Sequence, residues 1–509
     1  MSEGRVAVID MGSNTARLVV FRLLGAGGWY LEDEIREVVR LRAGMTAGGM
    51  ARQAVQRGIA VLRLFRRFCD NIGVDTVIAT ATSAVRDAGN GADFLKRAKE
   101  ASGWDLRVLS NEEEARLGVL GVLGEVPLES GIVVDIGGGS AQISRVRDGR
   151  WLDGVSLPLG ALRLTELFRM SDTPTGDEVE ALRAHVNEQL DTVEWLAALT
   201  PGEEMAGLGG SIRNLGYMEH AHIDWPLPTL RGFEISAKRV DELVEKMLSV
   251  SLANRARIPG LNPDRADILP AGSLVLQEVM RRVGAAGCHT SVNGLREGLL
   301  LDHLHGKTPP KGEDLRVLSV DSLACRYGLH GDHRERVRHL STRLFDDLVG
   351  RHGLDASHRK LLEAAALLHD VGSVLGYHDH HKHSQYLITL NGLPGYTARE
   401  TALIALLTRY HRKGTPTPGG YRRILEEADV PALRWMSAFL RMAEYLERGR
   451  RGTVTNVEVT DWGLRGMEIL LSTDGDATVE EWDTERRAVP LLESVSGARV
   501  RMSVLQSGA

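Results

Sequence analysis

The chain has 509 residues, 43% of them hydrophobic and 26% charged, with a net charge of −6 at pH 7. That length exceeds one ordinary core and predicts three or four domains, while the negative balance excludes an overall basic field for nucleic acid. Cys69, Cys288 and Cys325 are scattered, which fits a reducing compartment; no run reaches membrane-spanning length and Met1 to Arg5 carries no signal-segment pattern, so a soluble, cytoplasmic protein is expected.

Residues 5–22 read as strand, turn, strand. The apolar run from Val6 to Ile9 ends in Asp10, and Gly12, Ser13 and Asn14 make the turn. Glycine lacks Cβ, so backbone N–H groups of such a turn can converge on an anion. Residues 34–41 read as a third strand. Residues 51–71 form a helix with Val55, Ile59, Leu62 and Phe65 on one face. A short strand over 76–80, a polar stretch holding Arg86 and a helix over 92–101 follow. Ser110 and Glu113 fit a capping box that opens the next helix. Glu112 to Glu114 also suit the positive end of its dipole. Once Glu113 is assigned to the cap, Glu114 is left to project into a cleft.

The apolar run from Ile132 to Val134 ends in Asp135, then Gly137, Gly138, Gly139 and Ser140. This repeats the Asp10 pattern 125 positions on. Two such turns suggest two halves facing each other across a cleft, and Asp135 offers carboxylate oxygens to a hard divalent cation. Gly209, Gly210 and Ser211 form another small-residue turn. Residues 154–166 read as a loop entering a helix, 175–199 and 237–248 as helices, and 293–298 as a polar turn. Residues 305–313 are the clearest linker. Beyond it the pattern turns helical, over 314–327, 332–351, 356–369, 380–390, 398–410, 420–428 and 431–448. Eleven of the 17 histidines fall between His330 and His411. Strands at 454–460, 467–472 and 498–504 with a helix at 479–491 suggest an α+β tail.

Taken in order, the two turns, the Ser110–Arg116 helix start, residues 157–166, residues 294–298 and Arg409 to Lys413 resemble the exopolyphosphatase / guanosine pentaphosphate phosphohydrolase family. The resemblance spans nearly the whole chain. It implies an α/β fold with two ribonuclease-H-like domains of the actin and sugar-kinase superfamily, at 1–124 and 125–306. It further implies an all-α HD-like domain at 307–452 and a small α+β domain at 453–509. The activity it implies is Mg²⁺-dependent cleavage of terminal phosphate from inorganic polyphosphate, or of the 5′-terminal phosphate of guanosine pentaphosphate, with Mn²⁺ as another candidate ion.

By the same resemblance Glu114 is the catalytic base and Asp135 an essential acid that holds the metal with Asp10 and Glu114. Gly12, Ser13, Asn14, Arg86, Gly137 to Ser140 and Gly209 to Ser211 are assigned to phosphate. A homodimer is implied. These roles make physical sense: phosphoanhydride cleavage needs an in-line water, charge neutralisation and positioning, and nearby carboxylates would raise the pKa of Glu114. One position departs, because Ala141-Gln142 stands where the family has Thr-Glu.

His333, His369, Asp370, His378, His383 and Glu444 resemble the metal pattern of HD phosphohydrolases, with Glu where active members usually have Asp. Imidazole with carboxylate suits several divalent metals; the other reading is a degenerate fold whose histidines pack or line a channel. Lys382, Arg409, His411, Arg412 and Lys413 are candidates for a basic path along a polyphosphate chain. The expected function is exopolyphosphatase. The alternatives are a guanosine pentaphosphate 5′-phosphohydrolase, an actin-like ATPase, and a non-catalytic polyphosphate or nucleotide sensor.

Overall fold

The structure is a computed structural model that describes residues 3–46, 48–168, 172–306, 308–461 and 466–505. The chain divides into a first unit, residues 1–225 and 230–315, and a second, residues 226–229 and 316–509.

Two sheets organise the first unit. Strands β1 (Gly4–Met11), β2 (Thr15–Leu23), β3 (Trp29–Val38), β4 (Thr76–Ala81) and β5 (Arg107–Val108) lie in the order β3-β2-β1-β4-β5. The first three form an antiparallel meander, whereas β4 and β5 join in parallel. The helix Arg52–Ile72 and its connections supply the long crossover that a parallel strand requires. Val6, Val8 and Ile9 of β1 are all buried, as expected of a central strand covered on both faces.

The second sheet repeats this plan. It contains β6 (Gly131–Ile136), β7 (Ala141–Arg147), β8 (Arg150–Leu157), β9 (Glu204–Gly209), β10 (Glu234–Ser236) and β11 (Gly287–Thr290), in the order β10-β11-β9-β6-β7-β8. The repeat extends to register. Asp10 pairs across the first hairpin with Arg17, and Asp135 pairs across the second with Gln142.

The helices Asn111–Leu123 and Leu295–His305 cross almost backbone to backbone. A Cβ on Gly121 would lie 2.2 Å from the Gly294 carbonyl oxygen, and one on Gly298 only 1.8 Å from that of Leu117. Residues 294–298, read from sequence as a polar turn, are therefore a helix start whose glycines permit close packing. Two other expectations for this unit are corrected. Residues 154–157, read as the start of a loop, complete the strand Arg150–Leu157. The helix expected to reach residue 199 stops at Asp191, where the Thr192 hydroxyl bonds to the Gln189 carbonyl at 2.7 Å and competes with the helical ladder.

The second unit is helical, with helices that include His333–Asp347, Ala356–Leu368, His380–Asn391, Ala398–Tyr410 and Asp429–Leu446. Strands β12 (Val454–Asp461), β13 (Met467–Thr473) and β14 (Val500–Val504) share its hydrophobic core. The helix expected over 420–428 is a single tight turn, Gly419–Tyr421. Gly419 has φ of +55° and two prolines stand just before it, so the chain cannot build a longer helix from there. The tail helix is split at Ala488, two residues before Pro490. Lys307 of the expected linker lies outside the described residues.

Candidate active site

Asp10 and Asp135 each occupy the penultimate position of the strand that precedes a glycine turn. The turns close identically: Gly12 donates to the Thr15 carbonyl and Gly137 to the Ser140 carbonyl, both at 3.0 Å. These two N–H groups are thus spent within the protein, a correction to assigning every turn glycine to phosphate. The turns belong to one cleft. A Cβ on Gly139 would lie 3.9 Å from both Ser83 Oγ and Arg42 Nη1, and Ser83 Oγ is 2.8 Å from Ser13 Oγ. Asn14 is tied by its carbonyl to the N–H groups of Val39 and Arg40.

Glu114 enters this cleft from the start of its helix. The capping box forms as expected, with Glu113 N donating to Ser110 Oγ at 3.1 Å and Ser110 N to Glu113 Oε2 at 3.0 Å. Glu113 is further held by Arg107 at 2.6 Å. Glu114, freed from both duties, meets Arg86 Nη1 at 3.2 Å, and Arg86 is fixed by the Leu109 carbonyl at 2.7 Å. Gly118 follows one turn later on the same helix face, where a Cβ would stand 3.9 Å from Asp135 Oδ2. Gly209 backs Asp135 from the other side, since a Cβ there would sit 2.7 Å from Asp135 Oδ1.

Burial is the largest influence on these acids. It pushes Glu114 up to about 7, against the opposing Arg86, with Asp10 and Asp135 adding smaller increments. It pushes Asp135 up to about 6 against Arg213, and raises Asp10 against Arg296 and Arg17. Neighbouring carboxylates, the cause expected from sequence, are secondary. Asp10 Oδ1 is buried without a hydrogen bond. A hard cation fits this all-oxygen acid set. Among the described residues, however, the three carboxylates do not form a group with ligand atoms within 4.8 Å of one another. An ion here would be held by one or two of them with waters completing its shell, which suits Mg²⁺.

Arginine is what the sequence reading missed. Arg17, Arg36, Arg213 and Arg265 line a cavity of about 460 Å³ together with Gly210, Asn214, Tyr217 and Asn262. Arg17 and Arg36 are directly paired across β2 and β3, an arrangement of like charges that is destabilising by itself. Burial and the neighbouring Arg296 push Arg17 down to about 10, and burial with Arg213 and Arg36 lowers Arg265. Arg36 is exposed and the other three are partly buried, and four guanidinium groups gathered at one cavity are arranged for a polyanion. The cross-strand Arg pair was the one available signal, and it requires the register to be known.

Other assignments are also revised. Ser211 Oγ is buried without a hydrogen bond and faces Gly272, where a Cβ would lie 2.3 Å away, so it does not reach the cleft. Gln142 is buried, and its Nε2 donates to Ser140 Oγ at 3.0 Å and Ser156 Oγ at 3.4 Å.

In the second unit His333, His369, Asp370 and Glu444 converge. His378 is exposed and His383 packs beside Gly372, and neither joins them. His380 and His411 do. His411 is therefore no part of a surface path: it is fully buried, with Nε2 3.2 Å from His380 Nε2. Lys382 and Lys413 both pair with Asp379, at 2.7 and 3.3 Å. Arg412 lies over the Tyr377 ring, and Arg409 is partly buried.

Two repeated sheets, each ending in an acid and a glycine turn, with a third acid on a helix mouth and four arginines beside them, define a protein that handles phosphorylated substrates. Residues 26–307 match the Ppx/GppA phosphatase family and residues 315–476 match domain III of that family. The chain belongs to the Ppx/GppA phosphatase family. It is 27% identical to a solved Ppx/GppA family member from Aquifex aeolicus, with a TM-score of 0.54, over 60% of this chain and 98% of that one. An exopolyphosphatase from Cytophaga hutchinsonii is likewise 27% identical, with a TM-score of 0.54, over 60% of this chain and 99% of that one. Among the described residues no helix is long and apolar enough to cross a membrane.

Proposed function

We propose that the first unit is an exopolyphosphatase that hydrolyses the terminal phosphoanhydride of inorganic polyphosphate. The observation that carries this reading is Glu114, held at a helix mouth with its pKa near 7 and facing the same cleft as Asp10 and Asp135. A base poised near neutrality is suited to taking a proton from water. Arg86 orients the Glu114 carboxylate. The N–H groups of Gly138 and Gly139, beyond the hydrogen bond that closes their turn, would hold terminal phosphate oxygens. The arginine cavity receives the following phosphates. Water adds to the terminal phosphorus, the bridging P–O bond breaks, and the shortened chain leaves with its charge matched by guanidinium groups. Mg²⁺, held by Asp135 and Asp10, would offset charge on the phosphoryl oxygens.

The cavity also contains Tyr217, 43% exposed, an aromatic face on which a base could stack. That observation favours guanosine pentaphosphate as a second substrate. Phosphate release from long polyphosphate and from guanosine pentaphosphate at matched phosphate concentration tests the order. Faster release from polyphosphate is expected; a clear preference for the nucleotide would reverse the assignment.

A further inference from the structure

The arginines around the acids of the first unit fall into two groups. One lies at the Gly209–Gly210 turn, where a Cβ on Gly210 would collide with the Arg265 guanidinium. Its members Arg213, Arg296 and Arg17 are the cations that act on Asp135 and Asp10. The other lies at the Gly138–Gly139 turn. The helix Ala161–Phe168 docks on that turn, with the Ala161 N–H donating to the Gly137 carbonyl at 2.9 Å and the Arg163 N–H to the Gly138 carbonyl at 3.0 Å. Gly160 permits this approach, because a Cβ there would collide with the backbone of Gly138 and Gly139. Arg163 is so anchored at the turn. Arg42 reaches the same turn: its N–H donates to the Ser13 carbonyl at 3.2 Å, and a Cβ on Gly139 would lie 3.9 Å from both its Nη1 and Ser83 Oγ.

The two groups are separate. The charges acting on Arg265 are Arg213, Arg36 and Asp267, whereas those acting on Arg163 are Arg42 and Asp87. Little offsets the second group. Asp87 stands 3.5 Å from Arg42 Nη1 and 3.7 Å from Arg86 Nε, with its side chain 41% exposed. Shared among three guanidinium groups and open to water, it holds none of them tightly. Arg163 is partly buried, and burial, then Arg42, lowers its pKa. Two guanidinium groups kept together at that cost suit an anion of more than one charge. The hydroxyls of Ser83 and Ser13, 2.8 Å apart, add donors beside them.

Chain topology then decides which anion. A linear polyphosphate gives its terminal phosphate one neighbour only. With that terminal phosphate on the Gly138 and Gly139 N–H groups and the following phosphates in the arginine cavity, no chain phosphate remains for Arg42 and Arg163. An ion for them exists only after the bridging bond is cut. Resting on the polyphosphatase reading of the first unit, we propose that Arg42, Arg163 and the Ser83 hydroxyl form a subsite for released orthophosphate, distinct from the cavity that holds the chain. The product leaves past one group of arginines while the shortened chain stays bound to the other, and the chain advances by one unit without dissociating. Attachment at many points keeps the chain in place during that release. Asp87 competes with the ion for the same guanidinium groups and so prevents the product from lodging there.

The test uses the full chain with Glu114→Gln, so that added polyphosphate is not cut. Inorganic phosphate is titrated by calorimetry in Mg²⁺, alone and again with saturating long polyphosphate. A single phosphate site of similar affinity is expected in both titrations. Adding Arg42→Ala with Arg163→Ala should weaken it at least about tenfold, the loss expected for hydrogen bonds from charged donors. Asp87→Asn should instead tighten it by about twofold to threefold, the size of an exposed ion pair. Phosphate binding abolished by polyphosphate would put both ligands in one site and overturn the proposal, as would binding unmoved by loss of the two arginines. The competition needs no arginine variant, so a misfolded variant does not protect the proposal. In the parent enzyme orthophosphate should inhibit noncompetitively against polyphosphate, and a purely competitive pattern would overturn the separate exit. If the parent protein cuts no polyphosphate, the reading of the first unit falls, and the titrations still decide whether these arginines hold phosphate.

Discussion

The two units hold buried acids by opposite means. In the first, Asp10, Asp135 and Glu114 are desolvated, and burial outweighs the nearby guanidinium groups, even Arg86 paired with Glu114 at 3.2 Å, so all three carboxylates rise in pKa. In the second, Asp370 and Glu444 lie as deep but imidazoles crowd them, and His369 with its neighbours drives both well below the usual carboxylate range. An acid kept near neutrality can exchange a proton with water. An acid held ionised beside a protonated imidazole is already neutralised by it. The contrast marks the first centre as the one suited to proton transfer.

The sharpest way to break this contrast is Glu114→Gln. Loss of a general base typically costs on the order of 10²–10⁴ in rate, and kcat for phosphate release should fall by that amount while polyphosphate still binds. Near-normal turnover would remove Glu114 from the reaction. Next in size is Arg265→Ala. A hydrogen bond to a charged group is worth about 1.5–3 kcal/mol, so KM should rise about tenfold to a hundredfold with kcat little changed. Salt should mimic the effect in the parent enzyme by screening the cavity. An unchanged KM would show that the substrate does not enter between the arginines.

Much of the first site was legible before any coordinates. The Asp10 and Asp135 turns announce themselves because strand, acid and glycine are contiguous, whereas the choice of Glu114 over Glu112 rested on the family resemblance, since the capping box accounts for Glu113 alone. The arginine cavity was not legible, since Arg17, Arg36, Arg213 and Arg265 come from separate segments that meet only through the fold. The helix Leu269–Val283 was missed because it is buried on nearly every side and presents no single apolar face to read. In the second unit His369 and Asp370 were evident. The choice of His380 and His411 over His378 and His383 depends on which rings reach a carbonyl three residues back, and residue type does not encode that.

A pH profile sharpens the contrast further. With Glu114 near 7, its basic form is depleted as pH falls, so kcat/KM should decline about tenfold per unit below that point. Asp135, pushed up to about 6 in the protein alone, should steepen the decline at low Mg²⁺, where it is free to take a proton. Glu114→Gln should erase the first limb. A profile flat between pH 6 and 8 would mean that neither acid limits the reaction.

The smallest expected effect concerns a position where the two halves of the first unit share a register but differ in residue. Asp10 faces Arg17, whereas Asp135 faces the neutral Gln142. Gln142→Glu would add a carboxylate across from Asp135. The turn should survive, because the hydroxyls of Ser140 and Ser156, which now accept from Gln142 Nε2, can rotate to donate to a carboxylate. The added charge is buried, so its desolvation cost offsets most of its attraction for a cation and leaves ~0.7 kcal/mol. The Mg²⁺ concentration for half-maximal phosphate release should therefore drop about threefold. An unmoved Mg²⁺ titration would mean that residue 142 serves only to brace the turn, and that cation affinity in this cleft is set by Asp135 and Asp10 alone.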